Sequence, residues 1–365
     1  MRNLTCGFIG LGLIGGSIAR ALREKLPHTT IIAYDINEAA LTQARADRVA
    51  DICTTSIDDS FAACDYIFLC APVQKNDSNL ETVKAVMSDH CILTDVGSVK
   101  TSIHEHINKA GLAHCFIGGH PMAGSERVGY ANSKAALLEN AYYILTPTDS
   151  VPTERLEELR NLVADLGAIP IVIDSAKHDY VTAAISHLPH VIAAALVNLV
   201  RDSDFEDGLM KRVAAGGFKD ITRIASSSAT MWQQICLTNT ANISNLLEDY
   251  ISALTTFKAE LDSRDAAALY EEFDSARIYR DSFINTSSGP IKSSYSISVE
   301  IPDKSGSLAL ITMLLAKQDI NIKNLGINHN RETEDGALRI EFYDESAREK
   351  AVTILRAIDY QVHVL

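Results

Sequence analysis

The sequence is poor in basic residues and in aromatic side chains. It has 33 Lys and Arg against 47 Asp and Glu, a formal net charge of −14 at pH 7, and one Trp among 365 residues. A surface with this excess of negative charge repels nucleic acid and anionic membranes, so neither is expected as a partner. Any site for an anionic substrate must therefore be locally basic.

Paired cysteines are missing as well. The seven cysteines are scattered, with no C-x-x-C pair, and several lie in apolar runs where a thiol behaves as a small buried hydrophobe. This pattern excludes a disulfide framework, gives no sign of a metal site and indicates a reducing compartment. Because the sequence shows no signal-peptide pattern, the cytoplasm is the expected location.

The sequence has no long uninterrupted hydrophobic run. Its most apolar helical stretch, Ala183–Val200, is interrupted by His187, Pro189, His190 and Asn198. Such a stretch is too polar for a membrane span and predicts a buried core helix.

The first residues, in contrast, carry a dense motif. Leu4–Ser17 reads LTCGFIGLGLIGGS, in which Gly10, Gly12 and Gly15 match G-x-G-x-x-G between a predicted strand and a predicted helix. Glycines at these positions allow a tight turn, close approach of a pyrophosphate and close packing of the helix, whose N-terminus faces the phosphates. A glycine-rich turn without a ligand is the alternative, but the flanking strand and helix favour dinucleotide binding.

A carboxylate at the next strand end selects between the two dinucleotides. The strand Thr30–Tyr34 ends at Asp35, 20 residues after Gly15. A carboxylate there can accept a hydrogen bond from the ribose 2′-hydroxyl and repels a 2′-phosphate. The expected cofactor is therefore NAD rather than NADP.

Four regions follow one another along the chain. In residues 1–174 apolar runs alternate with helical segments, which predicts an α/β Rossmann domain with a doubly wound, mostly parallel sheet. Residues 175–284 carry only long helical patterns and predict an all-α domain, which by analogy with other dehydrogenases builds a dimer. Residues 285–294 have the composition of a linker. Residues 295–365 have the order βαββαβ of a small ferredoxin-like domain.

Ligands of such sheets bind at the carboxyl ends of the strands. Three predicted strand ends carry chemistry: Cys70–Val73, Asp95–Ser98 and Gly118–Pro121. His120 is placed there to accept a proton as hydride leaves the substrate, although a backbone carbonyl could also satisfy it. Ser98 can position His120 or the nicotinamide, and it can also cap the helix that follows.

Two further stretches offer polar side chains for a substrate. Ser186–His190 places His187 and His190 on one helix face, where a zinc pair would lack a third ligand. Pro189 is expected to kink this helix and to direct His190 toward a cleft, whereas His187 fits a polar contact between helices.

The second of these stretches is basic and rich in glycine. In Gly216–Arg223 the planar guanidinium of Arg223 can bind a carboxylate, with Lys219 and Asp220 ordering it. A solvated surface loop is the alternative for this segment.

Taken in order, GLGLIGGS, CAPV, DVGSVK, GGHPMAGSE, SHLPH and GGFKDITRIA resemble the prephenate dehydrogenase family of tyrosine biosynthesis. The likeness covers nearly the whole chain. The C-terminal region resembles an ACT domain, with Asp303–Leu308 reading DKSGSL and Ser305 in place of the family's usual proline. Such domains commonly bind an amino acid, so the resemblance implies feedback inhibition by tyrosine, with Asp303–Leu308 and Asn321 as candidate effector contacts.

The resemblance implies a site and a reaction. His120 takes the hydroxyl proton and Ser98 orients His120 and the nicotinamide. Arg223 anchors a carboxylate, His190 contacts the pyruvyl arm, Glu126 guards the pocket mouth, and Asp220 and Trp232 shape the Arg223 side. The residues expected to bind NAD are Gly10, Leu11, Gly12, Leu13, Ile14, Gly15, Asp35, Ala71, Pro72 and Val73.

By this resemblance the chain is an NAD-dependent dehydrogenase that converts prephenate to 4-hydroxyphenylpyruvate with loss of carbon dioxide, and it acts as a homodimer. Two alternatives stay open. One is an arogenate dehydrogenase, whose substrate has an amino acid side chain where prephenate has a keto acid. The other is a sensor that binds NAD and an amino acid without turnover.

Overall fold

The computed structural model describes residues 4–124, 127–282, 295–301, 304, 306–329 and 336–364. The chain divides into two compact units, Met1–Leu269 and Tyr270–Leu365.

The first unit begins with alternating strands and helices. These are β1 (Thr5–Ile9), α1 (Leu13–Lys25), β2 (Thr30–Tyr34), α2 (Glu38–Ala46), β3 (Ile52–Thr54), β4 (Tyr66–Leu69), α3 (Val73–Val86), β5 (Ile92–Asp95), α4 (Thr101–Ala110), β6 (Phe116–Pro121), β7 (Tyr142–Pro147), α5 (Thr153–Asp165) and β8 (Ile169–Val172).

The eight strands form one sheet in the order β3-β2-β1-β4-β5-β6-β7-β8, and every neighbouring pair is parallel except β6 with β7. The predicted Rossmann architecture is confirmed. Sequence analysis missed only the short edge strand β3, whose three residues are exposed or half-buried and lack a clear apolar pattern.

The core lies on both faces of the sheet because the central strands are largely apolar and buried, as in β4, all of whose residues are buried. Phe8 packs on one face and stacks on Phe68 of the neighbouring strand at 5.0 Å between ring centroids. Ile9 and Ile67 lie in the hydrophobic cluster of the other face. Successive side chains of a strand point to opposite faces, so a central strand covered by helices on both sides reads as a continuous apolar run.

The crevice for a ligand follows from the strand order. From β1 the chain crosses to β2 on one side, and β4 lies on the other side of β1. The connections after β1 and β4 therefore diverge at the carboxyl edge, which is where doubly wound sheets bind ligands.

Strand β6 runs further than its sequence predicts. It was expected to end at Gly118, but it continues to Pro121 because His120 pairs with Ile144 and Pro121 with Tyr143 in the antiparallel ladder with β7. His120 consequently projects from a paired strand rather than from a loop.

From residue 175 to residue 282 the chain is helical. The helices are α6 (Ser175–Thr182), α7 (Leu188–Ser203), α8 (Leu209–Val213), α9 (Gly216–Thr222), α10 (Ala229–Thr238), α11 (Thr240–Ser263) and α12 (Ala266–Ser282), with a π-helical turn at Ala183–His187 and a 3-10 turn at Arg223–Ser226. The predicted all-α character of this region is confirmed.

The expectation of a buried core helix at Ala183–Val200 is wrong for this chain taken alone. Ala193 is the buried residue of α7, whereas Ile185 and Leu199 are 63% and 64% exposed. Among the described residues, the stretch Ser175–Ser203 is one that by length and composition could also cross a membrane. Several of its apolar side chains are therefore left uncovered by the part of the chain that the structure describes.

The described C-terminal strands and helices form a separate sheet with two helices. The elements are β9 (Tyr295–Ile301), α13 (Ser307–Ala316), β10 (Ile322–His329), β11 (Gly336–Phe342), α14 (Glu345–Arg356) and β12 (Val362–Val364). The sheet is antiparallel in the order β10-β11-β9-β12. Its core joins Ile297, Val299 and Ile340 of the sheet to Ile311 and Leu355 of the helices.

The predicted βαββαβ order is therefore present. The predicted linker 285–294 and the turn residues Asp303 and Ser305 lie outside the described residues.

Candidate active site

A cavity of about 310 Å³ opens at the carboxyl ends of β1, β2 and β4. It is lined by Gly10, Leu11, Gly12, Tyr34, Asp35, Ile36, Cys70, Ala71, Pro72, Ser78 and Asn79. Six of the ten predicted cofactor residues line it: Gly10, Leu11, Gly12, Asp35, Ala71 and Pro72. Leu13, Ile14 and Gly15 instead form the first turn of α1, and Val73 is described only as the first backbone residue of α3.

The glycine loop has the backbone geometry that its sequence predicts. Gly10 has φ of +100°, and a Cβ atom there would lie 2.7 Å from the backbone nitrogen of Ala71. A Cβ atom at Gly15 would lie 2.7 Å from the carbonyl oxygen of Gly10. At Gly12, the N-cap of α1, a Cβ atom would meet nothing within 4 Å. The helix N-terminus therefore faces open space, as a phosphate-binding loop requires.

Asp35 connects the end of β2 to this loop. Its Oδ2 accepts a hydrogen bond from the backbone N–H of Leu11 at 2.6 Å, and its Oδ1 accepts one from Asn37 at 2.8 Å. The carboxylate is thus held at the cavity wall. An adenosine ribose hydroxyl donating to it, and a pyrophosphate against the open N-terminus of α1, fit the residues present.

His120 projects from β6 and is hydrogen bonded to a second histidine. Its Nδ1 lies 2.8 Å from Nε2 of His178, a fully buried residue of α6. Among the residues that the structure describes, Nε2 of His120 has no hydrogen-bond partner. That nitrogen is therefore available to a substrate.

Asp179 follows His178 on α6 and connects that helix to the start of α4. Its Oδ1 accepts hydrogen bonds from Nδ1 of His178 at 2.8 Å and from the backbone N–H of Lys100 at 2.7 Å. Its Oδ2 accepts one from the backbone N–H of Thr101 at 2.8 Å. The expectation that Ser98 caps α4 is wrong, because that helix begins at Thr101 and the buried Asp179 carboxylate satisfies its first N–H groups.

The charges around His120 keep it neutral. Burial lowers the pKa of His120 well below its usual value, and His178, Lys100 and His187 lower it further. The Lys100 ammonium is itself fully buried, paired with the Asp95 carboxylate and donating to the carbonyl oxygen of Gly119 at 2.7 Å. A neutral imidazole at neutral pH can act as a base.

Sequence analysis missed His178, Asp179, Lys100 and Asp95. The adjacent pair His-Asp lies within α6, and the strand β8 before it runs antiparallel to β6, so its place in the sequence does not put it at the edge that carries His120. The contact between His178 and His120 joins residues that are 58 positions apart in sequence. No local pattern reports such a contact.

A second group of side chains surrounds His190. Its ring stacks on Trp232 with 3.6 Å between ring centroids and an interplanar angle of 23°. Its Nδ1 donates to the carbonyl oxygen of Ser186 at 2.9 Å. Burial lowers the pKa of His190, the bond to Ser186 opposes that shift, and the charge of Arg223 lowers the pKa further. The structure therefore brings His190, Trp232 and Arg223 together.

His187 lies between the two groups. It is buried, and its Nδ1 accepts a hydrogen bond from Nδ2 of Asn239 at 3.2 Å, which confirms the predicted polar contact between helices. Burial lowers its pKa to about 4. Within the described part of the chain, no three His, Cys, Asp or Glu side chains converge as metal ligands would.

The remaining predicted site residues are placed less closely. Ser98 follows β5, next to the strand that carries His120, without a hydrogen bond to any described residue. A solvated loop was the alternative for Gly216–Arg223, yet its first seven residues form α9, where Asp220 is exposed. Glu126 lies outside the described residues.

Comparison with protein families identifies the two main regions of this site. Residues 18–172 match the model described as the prephenate dehydrogenase nucleotide-binding domain, and residues 174–275 match the prephenate dehydrogenase dimerization domain. The chain belongs to the prephenate dehydrogenase family. The resemblance read from the motifs is therefore confirmed, and the cavity residues from Tyr34 to Asn79 lie within the range matched to the nucleotide-binding domain.

Relatives and solved structures agree with this membership. The prephenate dehydrogenase of Bacillus subtilis (strain 168) is 37% identical over 95% of this chain and 94% of its own length. The prephenate dehydrogenase of Aquifex aeolicus, solved with hydroxyphenyl propionate and NAD+, has a TM-score of 0.73 and 31% identity over 78% of this chain and 99% of its own. The arogenate dehydrogenase of Synechocystis has a TM-score of 0.69 and 30% identity over 77% of this chain and 100% of its own.

Proposed function

We propose that this chain oxidises prephenate with NAD and releases the ring carboxylate as carbon dioxide, forming 4-hydroxyphenylpyruvate, with His120 as the general base. It is a prephenate dehydrogenase by family, and its cofactor is NAD. The observation that carries the assignment of the base is the neutral His120 ring, whose Nε2 has no partner in the described chain, at the same sheet edge as the nucleotide cavity.

The nucleotide site has a separate group for each part of NAD. The N-terminus of α1, open at Gly12, faces the pyrophosphate, and the Asp35 carboxylate accepts from the adenosine ribose. Leu11, Ala71 and Pro72 line the walls. When bound, NAD supplies the acceptor for the hydride that leaves the carbon bearing the hydroxyl.

The proton and the hydride leave the same C–OH group of prephenate. Nε2 of His120 accepts the hydroxyl proton, which makes the developing carbonyl more favourable. Ser98, at the end of the neighbouring strand, helps to position that histidine and the nicotinamide. Departure of the ring carboxylate then makes the ring aromatic, which drives the reaction forward.

Arg223 and His190 form the substrate side of the site. The Arg223 guanidinium binds a carboxylate of prephenate in the planar geometry that suits it. His190 contacts the pyruvyl arm, and the stacked Trp232 ring fixes the orientation of that imidazole. Asp220 and Glu126 complete the Arg223 side and the mouth of the pocket in this proposal.

The test is formation of reduced nicotinamide by the purified full-length chain with NAD and prephenate. Turnover with NAD that is much weaker with NADP supports the proposal. A folded protein that binds NAD and turns over neither cyclohexadienyl acid would instead indicate the non-catalytic sensor.

The second candidate substrate is arogenate. The arogenate dehydrogenase of Synechocystis is about as similar in fold to this chain as the prephenate enzyme of Aquifex aeolicus. The two substrates differ at the side chain that His190 is proposed to contact. Measuring kcat/KM for both at equal concentrations decides between them.

We further propose a homodimer built by residues 175–284, after a Rossmann domain of residues 1–174. Its support is the match to a dimerization domain and the uncovered apolar side chains, such as Leu199, Leu237 and Tyr180, which are 64%, 69% and 53% exposed. A partner that covers them also accounts for the apolar stretch without a membrane, consistent with a cytoplasmic enzyme. Sedimentation equilibrium tests the dimer.

We propose that the C-terminal unit is an ACT-like domain through which tyrosine inhibits the enzyme, with residues 285–294 as linker. The support is its βαββαβ order and its sheet order β10-β11-β9-β12, which is that of a ferredoxin-like fold. Removing residues 295–365 should leave activity that tyrosine does not inhibit. Unchanged inhibition of the truncated enzyme would place the effector elsewhere.

A further inference from the structure

We propose that His178 and Asp179 are positioning residues for the reaction: they fix His120 in the tautomer that leaves Nε2 free to accept a proton, and they stabilise the ring once it is protonated. The inference rests on the proposed role of His120 as the base. It goes beyond that role because neither residue reaches the substrate in this scheme.

The direction of each hydrogen bond follows from the groups at the buried end. Asp179 can only accept, because burial, which alone would raise its pKa, is outweighed by hydrogen bonds from His178, Thr101 and Lys100 that hold the pKa below its usual value. Nδ1 of His178 therefore carries the proton of that bond.

The rest of the chain of bonds is then determined. With one proton on each ring, His178 holds its proton on Nδ1 and offers a lone pair at Nε2. Nδ1 of His120, 2.8 Å away, must donate to that lone pair, so the proton of neutral His120 is on Nδ1. The lone pair of His120 is consequently on Nε2, the nitrogen without a partner in the described chain.

The Asp179 carboxylate is immobilised by more than the histidine. Its two oxygens also cap α4 through the backbone N–H groups of Lys100 and Thr101. The side chains of His178 and Asp179 are both buried, so water does not compete for these bonds. Because the N-terminus of α4 holds this carboxylate in place, His178 donates to an acceptor whose position is fixed.

The charged groups around this pair determine how it responds to pH. His120 faces His178, Lys100 and His187, all of which disfavour a positive charge on it. The Lys100 charge is paired with Asp95. Asp179 is thus the carboxylate that contacts the two-histidine chain directly.

The substrate proton has a defined acceptor in this arrangement. The hydroxyl proton of the substrate moves to Nε2 of His120 as the hydride leaves to NAD, and it returns to the same oxygen when loss of carbon dioxide makes that oxygen a phenolate. The resulting imidazolium keeps its Nδ1–H bond to His178, and the negative charge of Asp179 offsets the added positive charge. No further oxidant, reductant or ion is needed.

The experiment compares three variants of the full-length enzyme. Asp179→Asn offers an amide N–H to Nδ1 of His178, which reverses both hydrogen bonds and places a proton on Nε2 of His120. We expect kcat to fall about 100-fold or more, as for a base in the wrong tautomer. The acid limb of kcat/KM should move to lower pH, because a negative charge has been removed.

In the second variant, a glutamine side chain replaces the imidazole and can form the same two hydrogen bonds. His178→Gln can donate to Asp179 and accept from His120, so it preserves the tautomer; we expect it to retain activity within about tenfold. His178→Ala removes both bonds and should lose about 100-fold in kcat. The KM for NAD should stay near the wild-type value in both.

His104→Asn is the matched control. His104 is another buried histidine, on α4, whose Nε2 lies 2.9 Å from Oγ1 of Thr146 and outside the chain of bonds to His120. Its replacement should leave kcat and the pH profile unchanged.

Nitrogen NMR of labelled histidine gives a readout that a purely structural role would not move. The His120 resonances, identified by their loss in His120→Asn, should show Nε2 without a proton in the wild type and with one in Asp179→Asn. An unchanged His120 tautomer in a folded Asp179→Asn would overturn the inference, and so would normal kcat and pH profile in His178→Ala. If His120→Asn itself keeps normal turnover, the proposed base is wrong rather than the relay.

Discussion

The nucleotide cavity and the histidine group around His120 lie at the same edge of one sheet but are built in different ways. The cavity is lined by three short segments at strand ends, Gly10–Gly12, Tyr34–Ile36 and Cys70–Pro72, together with Ser78 and Asn79 of α3. The histidine group joins β6, α4 and α6 through side chains that are far apart in sequence. The nucleotide cavity therefore depends mainly on backbone geometry at strand ends, whereas the histidine group depends on polar contacts between buried side chains.

The first expected difference is that the histidine group can be disabled chemically without loss of the fold. Replacing His120 by Asn should lower kcat by two to four decades, about the contribution of a general base. The KM for NAD and the unfolding midpoint should change little, because no described residue that lines the cavity is hydrogen bonded to His120. Steady-state kinetics with thermal unfolding checks this, and near-normal kcat would remove His120 from the role of base.

The nucleotide cavity should respond in the opposite way, through its backbone. Gly10→Ala forces a side chain into φ of +100° and within 2.7 Å of the backbone of Ala71. We expect a loss of about 2–4 kcal/mol in the free energy of unfolding, measured by urea denaturation.

Gly12→Ala is the matched control for that variant. A Cβ atom there meets nothing within 4 Å, so stability should be retained while the methyl group obstructs the pyrophosphate and raises the KM for NAD about tenfold or more. Equal loss of stability in the two glycine variants would contradict the distinction between backbone strain and ligand approach.

A smaller effect is expected at the carboxylate of the cavity. Asp35→Asn keeps an oxygen that can accept from Leu11 but removes the charge that repels a 2′-phosphate. The ratio of kcat/KM for NAD to that for NADP should fall about tenfold. A ratio that stays the same would show that Asp35 does not select the cofactor.

The smallest expected effect is the pH dependence of stability. His120 and His187 have pKa values below those of an unfolded histidine, so the unfolded chain binds protons that the folded chain excludes. Stability from these residues is present above pH about 6.5 and decreases as pH falls toward 4. In His187→Gln the urea midpoint should depend less steeply on pH between those values. The same slope as in the wild type would contradict a buried, neutral His187.

The comparison also explains which parts could be predicted. The strands β1 and β2 were predicted to the residue, because a central strand of a doubly wound sheet is continuously apolar and ends in a distinctive turn. The extension of β6 to Pro121 was missed, since it depends on pairing with β7. Likewise capping of α4 by nearby Ser98 was the alternative that the sequence offered, whereas the carboxylate that supplies the cap comes from residue 179.

By itself the sequence determined the Rossmann order, the glycine loop and the place of Asp35 after β2, since strand periodicity and turn chemistry are local properties. Only the tertiary structure decided what surrounds His120. The bonds from His120 to His178 and from His178 to Asp179 exist because α6 returns the chain to the carboxyl edge of the sheet and buries both side chains against α4. A buried polar contact between distant elements is set by packing, and packing leaves no periodic signal in a single sequence.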